Sequence, residues 1–343
     1  MHYPNTNLQV LLKARPQGVP QAEHFELVRS PIQELEQGQV LVHIAYVSVD
    51  PAMRGWVNAA SNYAQPVEIG AVMKSFAVGR IFRSLDPRWQ EGDLVTGLFG
   101  WQQWAVVDVS VIDRKLNPEL LGKLPLSAAL GVLGLNGVTA YFGLLDIGRP
   151  LPGQTVVVSS AAGSVGSCAG QIAKLAGCRA VGIVGGPEKV HMALKIFGFD
   201  AAVDYKASDF EAQLRLACPQ GVDVYFDNTS GRSTDAVMGL LAPRARIVIC
   251  GTVAFTDWDP PPQGPRFERQ LLVARARMEG FIAPDYQHRW DEAYEMLARW
   301  LKEDHIRVVE EVLEGLEQAP DSVAGLYRGD NMGKRVIRVA EAI

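Results

Sequence analysis

The chain has 343 residues, a formal net charge of −5 and a pI near 5.8, so it lacks the basic balance that nucleic-acid binding requires. Its length and 48% hydrophobic content predict about two domains with substantial cores. No run reaches the roughly 18 apolar residues of a membrane-spanning helix, and the first residues lack the apolar core of a secretory signal peptide, so we expect a cytoplasmic protein without a membrane partner.

The first part of the chain predicts a mainly β domain. Short β-branched runs alternate with Pro and Gly turns, a pattern typical of irregular β structure that shapes a substrate site. The predicted strands are 8–14, 24–29, 39–49, 77–84 and 103–108. Mixed structure after residue 305 is expected to rejoin them. We therefore predict one domain from 1–125 and 305–343, and a second from 126–304.

A turn of small residues organises the second domain. The apolar strand 155–159 leads into Ala161-x-Gly163-x-x-Gly166 and then into an amphipathic helix. Glycines at such a helix start let backbone N–H groups approach a pyrophosphate. Because Ala161 replaces the first glycine of the usual dinucleotide-binding pattern, the motif is weak by itself, and a ligand-free glycine turn is the alternative.

The segments after this turn alternate between strand and helix. Short apolar strands and amphipathic helices in alternation predict a doubly wound parallel sheet of the Rossmann type. The predicted strands are 155–159, 179–184, 201–205, 222–226, 246–250 and 278–282, and the predicted helices are 188–197, 209–218, 233–241 and 267–276. The glycine turn then lies where dinucleotides bind in such sheets.

The end of the second strand favours NADP over NAD. An acidic residue there would hold the ribose 2′-hydroxyl of NAD and repel a 2′-phosphate. The strand instead runs into Gly185 and Gly186, with Lys189 just beyond and Tyr205 ending the next strand. Glu188 opposes this interpretation, although at a helix start it is also a partner of the helix dipole. A solvated cation is the alternative role of Lys189.

The cysteines and two loops carry weaker signals. Cys168, Cys178, Cys218 and Cys250 have no C-x-x-C spacing, so we expect apolar packing residues rather than a zinc site. The proline-rich segment 251–265 follows a strand end and predicts a pocket wall or lid, with a surface excursion as the alternative. The turn-rich loop 329–334 is either a hairpin or a contact that closes onto the cofactor.

Ordered segments along nearly the whole chain resemble the medium-chain dehydrogenase/reductase superfamily, in particular its zinc-independent branch of NADP-dependent alkenal/one reductases. The segments are 49–55 (VDPAMRG), 139–145 (TAYFGLL), 161–166, 188–189, 204–206 (DYK), 226–228 (FDN), 249–251, 277–281 (RMEGF) and 329–334 (GDNMGK). The resemblance implies a GroES-like catalytic domain beside a Rossmann domain, and a homodimer formed through the edge strand near 278–282.

The resemblance also implies a set of cofactor contacts. Gly163, Ser164, Val165 and Gly166 would hold the pyrophosphate of NADPH, and Lys189 and Tyr205 would contact its 2′-phosphate. The remaining contacts implied are Asn228, Cys250, Gly251, Thr252, Thr256, Phe281, Ile282, Ala283 and Asn331.

The implied reaction needs no metal. The zinc-dependent branch carries a cysteine near Asp50 and a Gly-His-Glu segment further on, whereas this chain has Val49-Asp50-Pro51 and, at 75–79, SFAVG. Reduction of an activated C=C bond requires hydride transfer to the β-carbon and hydrogen bonds for the enolate. The expected substrates are therefore α,β-unsaturated aldehydes and ketones.

Ala52 and Thr256 stand where relatives often carry tyrosines, so the substrate pocket differs. We take Tyr63 as the candidate hydroxyl donor, with a surface aromatic as the alternative. An NADPH quinone oxidoreductase is the closest competing function. A non-catalytic NADPH-binding protein is the third.

Overall fold

The computed structural model describes residues 4–59, 64–258 and 260–340, which form two compact units. The first unit comprises residues 1–130, 310–331 and 335–343, and the second comprises 131–309 and 332–334. The predicted boundaries at 125/126 and 304/305 lie about five residues before these breaks.

The described strands, in chain order, are β1 (Thr6–Leu12), β2 (Phe25–Pro31), β3 (Gln39–Ser48), β4 (Ala77–Ser84), β5 (Leu94–Gly97), β6 (Trp104–Asp108), β7 (Ile112–Lys115), β8 (Thr155–Ser159), β9 (Arg179–Val184), β10 (Ala201–Asp204), β11 (Val222–Asp227), β12 (Leu241–Ile249), β13 (Arg277–Gly280), β14 (Glu310–Glu314) and β15 (Lys334–Arg338).

The described α-helices are α1 (Met53–Trp56), α2 (Pro118–Leu121), α3 (Leu135–Phe142), α4 (Ser164–Leu175), α5 (Pro187–Lys195), α6 (Phe210–Ala217), α7 (Gly231–Met238), α8 (Glu268–Ala274), α9 (Trp290–Lys302) and α10 (Ala319–Arg328). Gly143–Gly148 continues α3 as a π-helical segment, and short 3-10 turns lie at Ala22–His24, Val109–Val111, Leu126–Leu130, Ala283–Arg289 and Leu316–Gln318. None of the helices in the described ranges is long and apolar enough to cross a membrane.

A largely antiparallel sheet builds the first unit. Its strand order is β14-β15-β3-β4-β5-β7, with β6 also paired to β3, and β1 and β2 form a separate antiparallel ladder. Most of β3 is buried, and its residues Val40, Val42 and Ile44, which alternate along the strand, lie in one core cluster of this unit. The predicted mainly β character is confirmed. No strand was predicted from the sequence over β5 or β7, and no helix over α1.

The second unit contains the predicted parallel sheet. Its order is β10-β9-β8-β11-β12-β13, with parallel pairing throughout. All five residues of β8 are buried, as expected for a central strand covered on both faces. The order reverses between β8 and β11, so the crevice at their carboxyl ends is the ligand-binding position of this architecture.

An ion-pair cluster joins two helical segments of the second unit. The Tyr141 hydroxyl of α3 donates to Glu292 Oε1 of α9 at 3.0 Å, and Arg289 donates to both Glu292 and Asp146. Burial, followed by the bond to Glu292, raises the pKa of Tyr141 to about 12. The Arg289 guanidinium lowers the pKa of Glu292.

Candidate cofactor site

A cradle of small residues joins β8 to α4. Gly163 caps the helix, and the first helical bond runs from the Ser167 N–H to the Gly163 carbonyl at 2.9 Å. The N–H groups of the three residues between them therefore have no acceptor within the helix. A Cβ on Gly166 would collide with the carbonyl group of Ser160, whose carbon would lie 2.8 Å away. The cradle therefore combines backbone N–H donors at a helix start with two positions, Gly163 and Gly166, that carry no side chain, the two features that favour pyrophosphate binding.

The loop before β15 meets this cradle. Met332–Lys334 group with the second unit, and Gly333 forms a parallel β-bridge with Gly163. Gly333 has a φ of +73°, and a Cβ there would lie 2.7 Å from the carbonyl carbon of Val309. Only glycine fits this close approach, so the loop 329–334 ends against the glycine turn.

The ends of β9 and β10 form a second polar position. Lys189 lies partly buried in the first turn of α5, and Tyr205, which follows β10, is 39% exposed. A Cβ on Gly185 would lie 2.9 Å from Tyr205 Cε1, so the ring occupies the space beside this turn. Asp204 Oδ1 accepts from the Gly186 N–H at 2.9 Å and from the amide after Tyr205 at 2.9 Å. Asp204 thus ties the two loops together.

Asp227, the last residue of β11, is a fully buried carboxylate. Asp227 accepts hydrogen bonds from side chains on both sides and from the backbone of the turn that follows it. The donors are Ser159 Oγ (3.1 Å), Tyr225 OH (3.0 Å), Thr229 N (2.9 Å), Ser230 N (2.8 Å) and Thr234 Oγ1 (2.5 Å). Burial, followed by the negative charge of Asp227, raises the pKa of Tyr225 well above its usual value.

Asn228 and the end of β12 lie beside this carboxylate. The Asn228 backbone N–H donates to Ser159 Oγ at 2.8 Å, and its side-chain Nδ2 donates to the Ser159 carbonyl at 2.7 Å. The amides of Cys250 and Gly251 both donate to the Asp227 carbonyl, at 2.8 and 3.1 Å. The ends of β8, β11 and β12 are therefore fixed relative to one another.

The four cysteines are unpaired thiols. Cys168, Cys178 and Cys218 are buried, and Cys250 is partly buried. Burial raises the pKa of Cys168 to about 12 and that of Cys218 to about 11, and burial together with the Asp227 charge raises that of Cys250 to about 12. Within the described ranges, no group of three or more His, Cys, Asp or Glu residues could hold a metal ion.

The segment after β13 is anchored in an apolar environment. Phe281 lies against Gly143, where an added Cβ would collide with its ring and would lie 2.8 Å from Phe226 Cε2. The Ala283 carbonyl accepts from Trp290 Nε1 at 3.1 Å. These contacts fix the backbone of 281–283 directly after the last strand of the sheet.

Comparisons with known proteins place the chain in a family. Residues 8–114 match the family model described as "N-terminal domain of oxidoreductase", and 164–299 match "Zinc-binding dehydrogenase". The NADPH-dependent curcumin reductase of Escherichia coli (strain K12) is 43% identical over 97% of each chain. This chain belongs to the medium-chain dehydrogenase/reductase superfamily, in its alkenal/one reductase branch.

Two further relatives of this branch are similar over the whole length. The 2-alkenal reductase (NADP(+)-dependent) of Nicotiana tabacum is 35% identical over 98% of each chain. The crystal structure of CurA in complex with NADPH from Vibrio vulnificus superposes with a TM-score of 0.90 at 42% identity, covering 98% of this chain and 100% of that one. The resemblance and the fold class expected from the sequence are confirmed.

In this alkenal/one reductase, most predicted cofactor residues lie along one edge of the parallel sheet. The residues that directly follow its strands or form the adjoining turns are Gly163, Ser164, Val165, Gly166, Lys189, Tyr205, Asn228, Cys250, Gly251, Thr252, Phe281, Ile282 and Ala283. Thr256 is partly buried further along the loop after β12. Asn331 belongs to the first unit, and Tyr63 lies outside the described residues. Their contacts with the cofactor stay predictions.

Sequence reasoning missed the two acids that organise this reductase edge. Asp204 and Asp227 are the last residues of β10 and β11, and each accepts backbone N–H bonds from the following turn. It also missed two strained positions after β8 and β11, since Ser160 and Ser230 have φ values of +52° and +61°. The available signal was an aspartate at the carboxyl end of an apolar run, AAVD in β10 and VYFD in β11.

Proposed function

We propose that this protein is an NADPH-dependent reductase of the C=C bond in α,β-unsaturated aldehydes and ketones. The observation that carries the cofactor assignment is the pairing of the glycine cradle at the start of α4 with the turn 185–187 after β9. This turn has Lys189 and Tyr205 beside it and contains no acidic residue in its own sequence. Membership of the alkenal/one reductase branch supports the substrate class.

The reaction adds a hydride to the β-carbon and a proton to the α-carbon. When bound, NADPH supplies the hydride. In our proposal, the N–H groups of Ser164 to Gly166 hold the pyrophosphate, and Lys189 and Tyr205 hold the 2′-phosphate through charge-assisted bonds. Asn228 and the Cys250–Thr252 backbone orient the other half of the cofactor. The first unit serves as the catalytic domain, and Tyr63 donates a hydrogen bond to the enolate oxygen.

Parallel turnover assays test this function. Purified protein is supplied with NADPH and either a medium-chain 2-alkenal, a conjugated enone or a quinone, and the products are identified by mass spectrometry and NMR. We expect saturated carbonyl products from the first two compounds. Quinol formation alone would assign the quinone reductase function. Tight NADPH binding without turnover of any compound would favour a non-catalytic role.

We further propose that the protein is a homodimer assembled through β13. This strand is the last of the sheet and is paired with β12, and all four of its residues are exposed. In α8, the helix that precedes this strand in the chain, Leu272 and Val273 are 77% and 62% exposed. Light scattering should give the mass of a dimer, and the double variant Leu272→Glu/Val273→Glu should give a monomer. The control Leu216→Glu changes an equally exposed leucine on α6 and should remain dimeric.

The cytoplasm is the location we propose. All four cysteines are free thiols, as a reducing compartment maintains. Fractionation of the source cells, with an antibody to the protein, should recover it with cytoplasmic markers. Recovery with an extracellular or envelope fraction would contradict this location.

A further inference from the structure

Asp227 stands apart from the residues that the proposed cofactor contacts account for. It is a fully buried acid at the ligand-binding edge of the sheet, not in the middle of the core. A buried carboxylate is costly unless its oxygens are satisfied by hydrogen bonds. Here two backbone amides and three hydroxyl groups satisfy it. These five hydrogen bonds fix the backbone and side-chain groups that donate them relative to one another.

The bonds connect elements that are distant in sequence. Ser159 ends β8, 68 residues before Asp227, and Thr234 lies in α7. The turn between β11 and α7 is held by the Thr229 and Ser230 amides. Ser230 has φ 61° and ψ −160°, a backbone region that is occupied almost only by glycine. The Asp227 carboxylate therefore stabilises a turn conformation that is unfavourable for the serine at position 230.

The same network fixes the orientation of Asn228. Ser159 Oγ donates to Asp227 at 3.1 Å and accepts from the Asn228 amide at 2.8 Å, so one hydroxyl couples the two residues. Because Asn228 Nδ2 donates to the Ser159 carbonyl, Oδ1 must face away from β8. Among the hydrogen bonds of the described residues, Oδ1 accepts none, which leaves it as an acceptor for a ligand at this edge.

We propose that Asp227 is a positioning residue for the reductase reaction. It sets the Asn228 side chain and the Thr229–Ser230 turn in the geometry that NADPH requires, without touching the cofactor itself. This inference rests on the proposed NADPH-dependent function. Cofactor affinity and turnover then depend partly on Asp227, which acts only through Asn228 and the Thr229–Ser230 turn.

The test compares Asp227→Asn with the matched control Asp223→Asn. Asp223 lies on the same strand at its opposite end and also ties β11 to β8, accepting from Thr155 N at 2.9 Å and Gln154 Nε2 at 3.4 Å. Both variants lose a strand-linking carboxylate, so both should lower Tm. We expect Asp227→Asn alone to raise the Kd for NADPH at least tenfold and to lower kcat at saturating NADPH. Asp223→Asn should keep the Kd within twofold of wild type.

Binding is measured by NADPH fluorescence titration of the full chain, separately from turnover. Failure of the wild-type protein to bind NADPH would refute the proposed function itself. Wild-type binding with an unchanged Kd and kcat in Asp227→Asn would overturn the role of Asp227. An equal loss of affinity in Asp223→Asn would also overturn it, because general destabilisation would then explain both results.

A milder variant keeps the proposal testable if Asp227→Asn does not fold. Thr234→Val preserves the side-chain shape and removes the 2.5 Å bond to Asp227 Oδ2 together with the 3.3 Å contact with the Tyr225 hydroxyl. Thr234 lies outside the proposed cofactor contacts. We expect its NADPH Kd to rise several-fold with a small change in Tm. A Kd and kcat equal to those of wild type would refute the positioning role.

Discussion

Replacing Lys189 by alanine should separate the affinity for NADPH from that for NADH. A hydrogen bond to a charged group contributes about 1.5–3 kcal/mol, and the partial exposure of Lys189 places it at the lower end, about 1.5 kcal/mol. Since 1.4 kcal/mol is a factor of about ten, the Kd and KM for NADPH should rise about tenfold. NADH lacks the 2′-phosphate, so its constants should hardly change.

The control for this prediction is Lys195→Ala. Lys195 is an exposed lysine in the last turn of the same helix, about 9 Å further along the axis, and its removal causes the same change in net charge. Titrations with both cofactors, at low and high salt, should show an NADPH-specific loss for Lys189→Ala that shrinks as salt increases. Equal losses with NADPH and NADH, or an equal effect of Lys195→Ala, would refute the assignment.

Three further predictions concern backbone strain, the glycine cradle and pH. Ser230→Gly should relieve the glycine-only conformation and stabilise the protein by about 1 kcal/mol, raising Tm by about 2 °C; an unchanged or lower Tm would contradict the strain argument. Gly166→Ala should weaken NADPH binding at least tenfold because its Cβ collides with a backbone carbonyl. Gly239→Ala, whose Cβ would meet its nearest neighbour at 3.6 Å, should bind normally, and similar constants for the two variants would exclude a steric cause. Arg289 lowers the pKa of Glu292, so this ion pair stabilises the folded state fully above the unfolded pKa of about 4.3 and loses that effect as pH falls through the folded pKa. The Tm of wild type should therefore exceed that of Glu292→Gln at about pH 6, and the difference should shrink as pH falls below about 4.3 and disappear below the folded pKa; a constant difference would show that the charge is not responsible.

The parallel sheet was predictable because its strands are continuous apolar runs bounded by turns. The bounds of β8 and β9 agree with the sequence prediction residue for residue. The start of β12 was placed five residues too late, since Pro243 and the left-handed Arg244, with φ +65°, interrupt the apolar run. The pairing of β12 with β11 shifts register at this interruption and then continues along the strand. The amino-acid pattern of one strand does not reveal such a shift.

The glycine cradle was also predictable, although its first glycine is missing. Ala161 is tolerated because its Cβ faces Gly182 of β9, where a Cβ would lie only 2.9 Å away. Both Ala161 and Gly182 are visible in the sequence, but their contact in the folded chain is not. The role of Asp227 was hidden for the same reason, because its donors come from β8, β11 and α7 and meet only after folding.

The burial of the thiols has a consequence for an enzyme that handles enones. Unsaturated carbonyl compounds are soft electrophiles that alkylate cysteine through its thiolate, so a protein that reduces them works in contact with an inactivating reagent. With pKa values of about 12 for Cys168 and Cys250 and about 11 for Cys218, these side chains remain thiols at neutral pH. Even Cys250, at the edge of the sheet where the cofactor is proposed to bind, is a poor nucleophile. Burial therefore disfavours the thiolate form through which such substrates would alkylate these three cysteines.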